Sequence, residues 1–252
     1  MDRNPLRTGR IYHIYNRGVE KRETFPDPSY YKRFIFLLKH YLKYDYPYST
    51  LLKRLKQSQT EPSKQTILKH LEQKRIKPPV DIISFCLMPN HYHITLKQRV
   101  KDGISFFMHK IGVAYTNYFN IRLERTGRLF EGPYKSVLIE SNEQLVHLTR
   151  YQHINPRKLR LESKNKLVEY PWSSLSTYLE ENYGNFINPQ VVTSLFKSPR
   201  EYLEFVMAEV DEFEPLRLET VALDDDFGWF QKFRSQKKAY KKHLREQFKN
   251  TL

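Results

Sequence analysis

A tight connection between two strand-like segments constrains the fold of this chain more than any other feature. Residues 81–87 and 91–98 are rich in apolar, β-branched and aromatic side chains, and only residues 88–90 separate them. The sequence therefore predicts two adjacent strands. Because successive side chains on a strand point to opposite faces, His91 and His93 project together, and the apolar residues between and after them project the other way.

The two imidazoles form the first candidate site. Neutral imidazoles side by side on a rigid strand supply two of the three ligands of a facial metal site. A His-x-His pair also occurs on strands without any metal, so the pair alone leaves both interpretations open. About sixty residues later, Tyr151 lies in the segment Arg150-Tyr151-Gln152-His153-Ile154-Asn155-Pro156. A metal beside a tyrosine in a very basic chain indicates phosphodiester chemistry on nucleic acid.

Composition indicates an anionic partner and excludes several classes of protein. The 252 residues carry a formal net charge of +15, with 18 tyrosines and 16 phenylalanines. Cations interleaved with aromatic rings suit single-stranded nucleic acid, although most of these rings belong to the core. Cys86 is the one cysteine, so the chain has no internal disulfide and no cysteine-based zinc site. The sequence has neither a long apolar run nor a signal-peptide pattern, and we expect a soluble, intracellular protein without membrane partners.

The order of predicted elements indicates an α+β fold, with an antiparallel sheet flanked by helices. A first strand is predicted over residues 10–16. Asp27-Pro28 provides an acidic N-cap and a proline at the first helical position, and an apolar stripe at helical spacing follows. The remaining elements are a helix over 103–121, a strand over 129–139 and a helix that opens at Ser141 with Gln144 in a capping box.

Three segments lie outside this pattern. Residues 44–80 are polar and are predicted to be an exposed insertion, with a weak helical candidate at 65–74. Residues 161–230 form a predicted helical extension, with short amphipathic helices at 189–196 and 199–210. The tail, residues 231–252, is basic and either folds onto phosphates or remains a solvated face without a partner. The candidate phosphate contacts in the tail are Lys237, Lys238 and Lys241.

Several short segments resemble those of a known family, the HUH single-tyrosine transposases, and in particular the REP-associated tyrosine transposase group. They occur in the family's order and together span roughly residues 8–180. The segments are Tyr12-His13-Ile14-Tyr15-Asn16-Arg17-Gly18, Met88-Pro89-Asn90-His91-Tyr92-His93, Gly127-Arg128-Leu129-Phe130-Glu131-Gly132-Pro133-Tyr134-Lys135-Ser136, the Tyr151 segment given above, and Tyr170-Pro171-Trp172-Ser173-Ser174.

The resemblance implies a ferredoxin-like HUH domain over residues 1–160 and a divalent metal. In this family a polar residue one turn after the tyrosine is the third ligand, which corresponds here to Asn155 beside His91 and His93. Tyr151 and Asn155 share a helix face because they are four residues apart. Asn155 can instead be a simple helix cap, since Pro156 ends the helix at this point. Two imidazoles and an amide oxygen suit Mn²⁺ better than Mg²⁺.

The resemblance also implies an enzyme in which Tyr151 attacks single-stranded DNA beside a hairpin and forms a 5′-phosphotyrosine. Without the neighbouring motifs, the default interpretation of Tyr151 is a core residue. The alternative function is a DNA or RNA hairpin-binding protein without turnover. We expect a bacterial cytoplasmic protein, associated with the nucleoid when bound, that is a monomer or homodimer. Further candidate nucleic-acid contacts are Asn16, Arg17, Arg128 and Lys135.

Overall fold

The computed structural model describes residues 5–57, 60–159, 164–180 and 186–208. A four-stranded sheet with the order β2-β3-β1-β4 forms its centre, and each neighbouring pair of strands is antiparallel. The strands are β1 (Ile11–Arg17), β2 (Val80–Met88), β3 (His91–Gln98) and β4 (Lys135–Ile139).

Helices cover both faces of the sheet. The helices are α1 (Pro28–Tyr41), α2 (Tyr48–Gln57), α3 (Glu61–Glu72), α4 (Gly103–Arg122), α5 (Asn142–Ile154), α6 (Lys164–Val168), α7 (Leu175–Leu179), α8 (Gln190–Thr193) and α9 (Pro199–Met207). The order β1-α1-β2-β3-α4-β4, with the α2–α3 pair inserted after α1, is the ferredoxin-like arrangement. The predicted fold class is therefore confirmed, including the helical C-terminal region.

Two hydrophobic cores follow from the alternation of side chains along the strands. On one face, Tyr92, Ile94 and Leu96 of β3 pack with the apolar stripes of α1 and α4. On the other face, Ile83 of β2 packs with α5 and with the helices of the C-terminal region. His91 and His93 alternate with the first set, so they lie on the α5 face of the sheet.

Local capping fixes where two of the helices begin. The Asp27 carboxylate accepts a hydrogen bond from the Ser29 amide at 2.7 Å, at the start of α1. The Ser141 hydroxyl accepts one from the Gln144 amide at 3.1 Å, at the start of α5. Both helix starts agree with the sequence prediction. The start of α5 determines which of its residues face the sheet, and α5 is the helix that carries Tyr151.

Two segments differ from the prediction. Residues 44–80, for which one weak helical candidate is predicted at 65–74, contain two helices, α2 and α3. The strand predicted over 129–139 is too long, since only Lys135–Ile139 pairs along β1. Pro133 cannot donate a backbone hydrogen bond, and the segment before it meets β1 through one isolated bridge between Gly18 and Phe130.

The C-terminal region packs directly onto α5. Leu175 and Tyr178 of α7, Val192 of α8 and Tyr202 of α9 are buried in the same core as α5. The predicted basic tail, residues 231–252, lies outside the described residues, and the predicted boundary at residue 160 stays a prediction. Among the helices of the described part of the chain, none has the length and apolarity needed to cross a membrane.

Candidate metal and tyrosine site

The histidine pair lies on the α5 face of the sheet, where β1 supports it. The rings of His91 and His93 meet edge to face, with 5.0 Å between their centroids. His13 projects from the same face of β1, and its Nε2 lies 3.0 Å from Nδ1 of His93. This contact fixes the orientation of the His93 ring and directs its Nε2 away from β1. A second hydrogen-bond partner on the far nitrogen is how proteins orient a histidine ligand.

Burial keeps the imidazoles of His13 and His93 neutral. His13 and His93 have no exposed surface. Burial lowers the pKa of His13 to about 3. Burial, followed by the nearby charges of His91, His13 and Lys158, also lowers the pKa of His93 well below its ordinary value. At neutral pH each ring therefore retains a lone pair, which is the form of histidine that binds metal ions.

Helix α5 brings Tyr151 to the histidines. The ring of Tyr151 packs edge to face on His93, with 5.4 Å between the centroids. The residue is 7% exposed, so its neighbours cover most of the ring. The histidine pair and the predicted nucleophile, which are about sixty residues apart in the sequence, thus meet in one place.

Gln152 fastens this part of α5 to the sheet. Its amide oxygen accepts hydrogen bonds from the Ser84 and Thr95 hydroxyls, and its amide nitrogen lies 3.0 Å from Thr95 Oγ1. All three side chains are completely buried. Because Ser84 is on β2 and Thr95 on β3, this network sets both the height and the rotation of α5 at the residue after Tyr151.

We predict that Gln152→Leu lowers the free energy of unfolding by about 2–3 kcal/mol, because two buried hydroxyls lose their partner. Urea unfolding followed by circular dichroism measures this loss. The matched control is Gln190→Leu on α8, whose side chain is exposed, and we expect a change below about 0.5 kcal/mol there. Equal stabilities of the two variants would contradict the positioning role of Gln152.

The opposite side of α5 is held by the C-terminal region. The guanidinium of Arg150 is buried and donates to the backbone carbonyls of Val206 and Ala208. His153 points away from Tyr151, as its spacing predicts, with Nδ1 2.7 Å from the Tyr202 hydroxyl and Nε2 2.8 Å from the Ser174 hydroxyl. Helix α5 is therefore attached to the sheet on one side and to the C-terminal region on the other.

Asn155 is the predicted third ligand, and it lies at the C-cap of α5, where a 3-10 turn (Asn155–Leu159) begins. Its backbone is helical despite Pro156, with φ −52° and ψ −37°. The side chain is 2% exposed, and both amide atoms lack a hydrogen-bond partner. The backbone of Asn155 also differs from the left-handed conformation with which asparagine commonly ends a helix.

The donor set fits a divalent cation. The buried Nε2 atom of His93 also lacks a hydrogen-bond partner, and buried polar atoms of this kind require an explanation. Neutral imidazole nitrogens with an amide oxygen are ligands that Mn²⁺ accepts. Within the described ranges, no group of three or more His, Cys, Asp or Glu side chains has the arrangement of a metal site. A site here therefore depends on the amide of Asn155, and that ligand stays a prediction.

The candidate nucleic-acid contacts have different surroundings. Arg17 lies opposite His91 in the register of β1 and β3, and its Nε lies 2.8 Å from the Glu131 carboxylate. The Asn16 side chain donates to the Gly132 carbonyl at 2.9 Å, so it supports the loop before β4. Arg128 and Lys135 are exposed. Lys237, Lys238 and Lys241 lie outside the described residues.

Two supporting residues have no role in the sequence-based prediction. For His13, strand alternation predicts the face of β1 on which the side chain lies, but it does not predict the contact with His93. For Gln152, the sequence gives no indication that hydroxyl groups of β2 and β3 bind its side chain. Both depend on how the strands and α5 come together, and local patterns do not determine that.

Comparison with known proteins finds a family model that is similar to the central part of the chain. The model of the family described as "Transposase IS200 like" matches residues 43–153, which include His91, His93 and Tyr151. A solved structure described as a REP-associated tyrosine transposase bound to a REP hairpin is 13% identical, with a TM-score of 0.45, and the alignment covers 74% of this chain and 88% of that one. No curated protein matches the chain. The predicted resemblance is confirmed, since residues 43–153 match the model of the IS200-like transposase family.

Proposed function

We propose that this protein is a metal-dependent DNA strand transferase that nicks and rejoins single-stranded DNA beside hairpin-forming repeats. One observation carries the proposal. The ring of Tyr151 lies against His93, next to His91, inside a segment that matches a transposase family. A tyrosine that only filled the core would not explain why the buried Nε2 atom of His93 and the buried amide of Asn155 lack hydrogen-bond partners.

In the proposed reaction, the phenolic oxygen of Tyr151 attacks the scissile phosphorus. The new bond joins Oη to phosphorus, the bond from phosphorus to the 3′-oxygen breaks, and the phenolic proton ends on that 3′-oxygen. The products are a 5′-phosphotyrosine and a free 3′-hydroxyl. Because one phosphoester replaces another, the reverse attack by a 3′-hydroxyl rejoins strands without an external energy source.

The chain's own residues hold and orient the reacting groups. His91, His93 and Asn155 would hold the divalent cation, Mn²⁺ or Mg²⁺. A bound cation supplies Lewis-acid stabilisation of charge on the phosphoryl oxygens. His13 keeps the His93 ring in one orientation. Gln152 fixes α5 so that Tyr151 stays against His93, which lowers the entropic cost of reaching a reactive geometry.

Single-stranded DNA is the proposed substrate on the basis of charge and family. The net charge of +15 favours a polyanion. Arg17, which the Glu131 carboxylate orients next to His91, is the cation we assign to a phosphate near the reacting bond. Lys135 and Arg128, exposed at and before β4, would contact DNA further away. The oligomeric state consistent with the proposal is a monomer or a homodimer.

A denaturing-gel assay tests this function. The purified protein is mixed with 3′-labelled single-stranded hairpins taken from the DNA that flanks its gene, in Mn²⁺, Mg²⁺ or EDTA. We expect a labelled, protease-sensitive adduct in the presence of a metal and no adduct in EDTA. Tight hairpin binding without an adduct under every condition would refute the strand transferase and support the non-catalytic hairpin-binding protein. Preference for a matched RNA hairpin would refute DNA as the substrate.

A further inference from the structure

Lys158 lies against the proposed nucleophile. Its Nζ atom is 5.7 Å from the centroid of the Tyr151 ring. It belongs to the 3-10 turn that continues α5 after Asn155, so the elements that fix Tyr151 also fix its backbone. The side chain of Lys158 is exposed, whereas Tyr151 and His93 are buried. The ammonium group therefore lies where the site meets solvent.

The turn that carries Lys158 also packs against the strands of the histidine pair. It contacts β2, in which Cys86 is directly paired with His93 of β3. The backbone of Lys158 therefore lies beside the strand pair that carries the histidines, and its ammonium lies over the Tyr151 ring.

The negative charge that develops during the proposed reaction gives a cation at this position a chemical role. A phenol is a weak nucleophile at neutral pH, because its ordinary pKa is about 10. As the Oη–phosphorus bond forms and the proton leaves, negative charge builds on the phenolic oxygen and on the phosphoryl oxygens. A cation held nearby, in a site that is partly shielded from water, stabilises that charge more than it stabilises the neutral phenol.

We infer that Lys158 is the charge partner of Tyr151, an ammonium group that stabilises the negative charge formed as the tyrosine attacks phosphorus. The inference rests on the proposed function. It assigns to Lys158 a role in the chemical step and not in general DNA affinity. A lysine suits this role because its flexible stem lets the charge follow the phosphate as bonds form and break.

The test compares Lys158→Met and Lys158→Arg in the full chain. The rate of adduct formation is measured in single turnover with saturating hairpin DNA and Mn²⁺, and the Kd for the same DNA is measured in EDTA. We expect Lys158→Met to lower the rate roughly 10- to 100-fold, with a change in Kd below about threefold, since one phosphate contact at most is lost. Lys158→Arg retains the positive charge, and we expect it to restore most of the rate.

Lys110→Met on α4 is the matched control. Its Nζ also lies over an aromatic ring, 5.3 Å from the centroid of Phe106, so the same charge and the same kind of contact are removed on the opposite face of the sheet. We expect its adduct rate to equal that of the unchanged protein. A failure of Lys158→Arg to recover the rate would count against a charge role and overturn the inference.

The outcomes separate this inference from the proposed function. Equal adduct rates for Lys158→Met and the unchanged protein would overturn the role of Lys158 and leave the strand transferase standing. A loss of DNA affinity as large as the loss of rate would assign Lys158 to substrate binding and would also overturn the inference. The absence of an adduct with the unchanged protein, in every metal, would refute the proposed function and the inference with it.

Discussion

Replacing Tyr151 with phenylalanine should abolish the covalent adduct while hairpin binding persists. The change removes only the phenolic oxygen, and the ring that packs on His93 and beneath Lys158 remains. We therefore expect an intact fold and a loss of adduct formation of roughly 10⁴-fold or more, as for other enzymes that lose their nucleophile. The same denaturing gel measures the rate, and a gel-shift assay measures binding.

Tyr118→Phe controls for the loss of a hydroxyl. Tyr118 is on α4, on the other face of the sheet, and its hydroxyl accepts a hydrogen bond from Arg122 at 3.1 Å. We expect adduct formation at the unchanged rate in this variant. An adduct that persists undiminished in Tyr151→Phe would assign the attack to a different side chain and would remove the basis of the proposed mechanism.

Replacing His91 or His93 with alanine should remove both metal binding and activity. Each change deletes one nitrogen donor of the proposed site, and we expect Mn²⁺ affinity to fall at least about 100-fold, with a comparable loss of adduct formation. Isothermal titration calorimetry measures Mn²⁺ binding without DNA. His93→Ala also leaves a cavity beside His13, so His91→Ala is the cleaner variant for interpreting the loss.

His109→Ala on α4 is the control for this pair, because that side chain is exposed and far from the α5 face. Its Mn²⁺ affinity and adduct rate should match those of the unchanged protein. If His91→Ala binds Mn²⁺ as tightly as the unchanged chain, the histidines are not the ligands. The unpaired amide of Asn155 would then need a different explanation.

The sequence predicts the parts of the site that depend on local periodicity. Strand alternation puts His91 and His93 on one face, and the Ser141 cap sets the start of α5. These features follow from geometry that repeats every two residues in a strand and every turn in a helix. The fold class follows for the same reason, since the elements that build and cover the sheet have a clear period and only residues 89–90 separate β2 from β3.

The remaining features depend on contacts between distant segments. The meeting of Gln152 with Ser84 and Thr95 arises only after β2, β3 and α5 have come together. Of the α2–α3 pair, only a helix over 65–74 is predicted, because these residues are mostly polar and show little apolar periodicity. The strand predicted over 129–139 begins too early because the prediction does not take account of Pro133. Proline has no backbone N–H and cannot donate a hydrogen bond to the sheet. Pairwise contacts of this kind leave no periodic signal.

Because α5 is attached both to the sheet and to the C-terminal region, the structure favours a site that is built within one copy of the chain. Arg150 and His153 bind α5 to the C-terminal region of the same chain, and Gln152 binds it to the chain's own sheet. Releasing the helix to a neighbouring copy would break all of these buried bonds together. Under the proposed function, each polypeptide would therefore carry the proposed nucleophile and the histidines as one unit. Two copies with different inactivating changes would not rescue each other, and a damaged copy would leave the chemistry of an intact neighbour untouched.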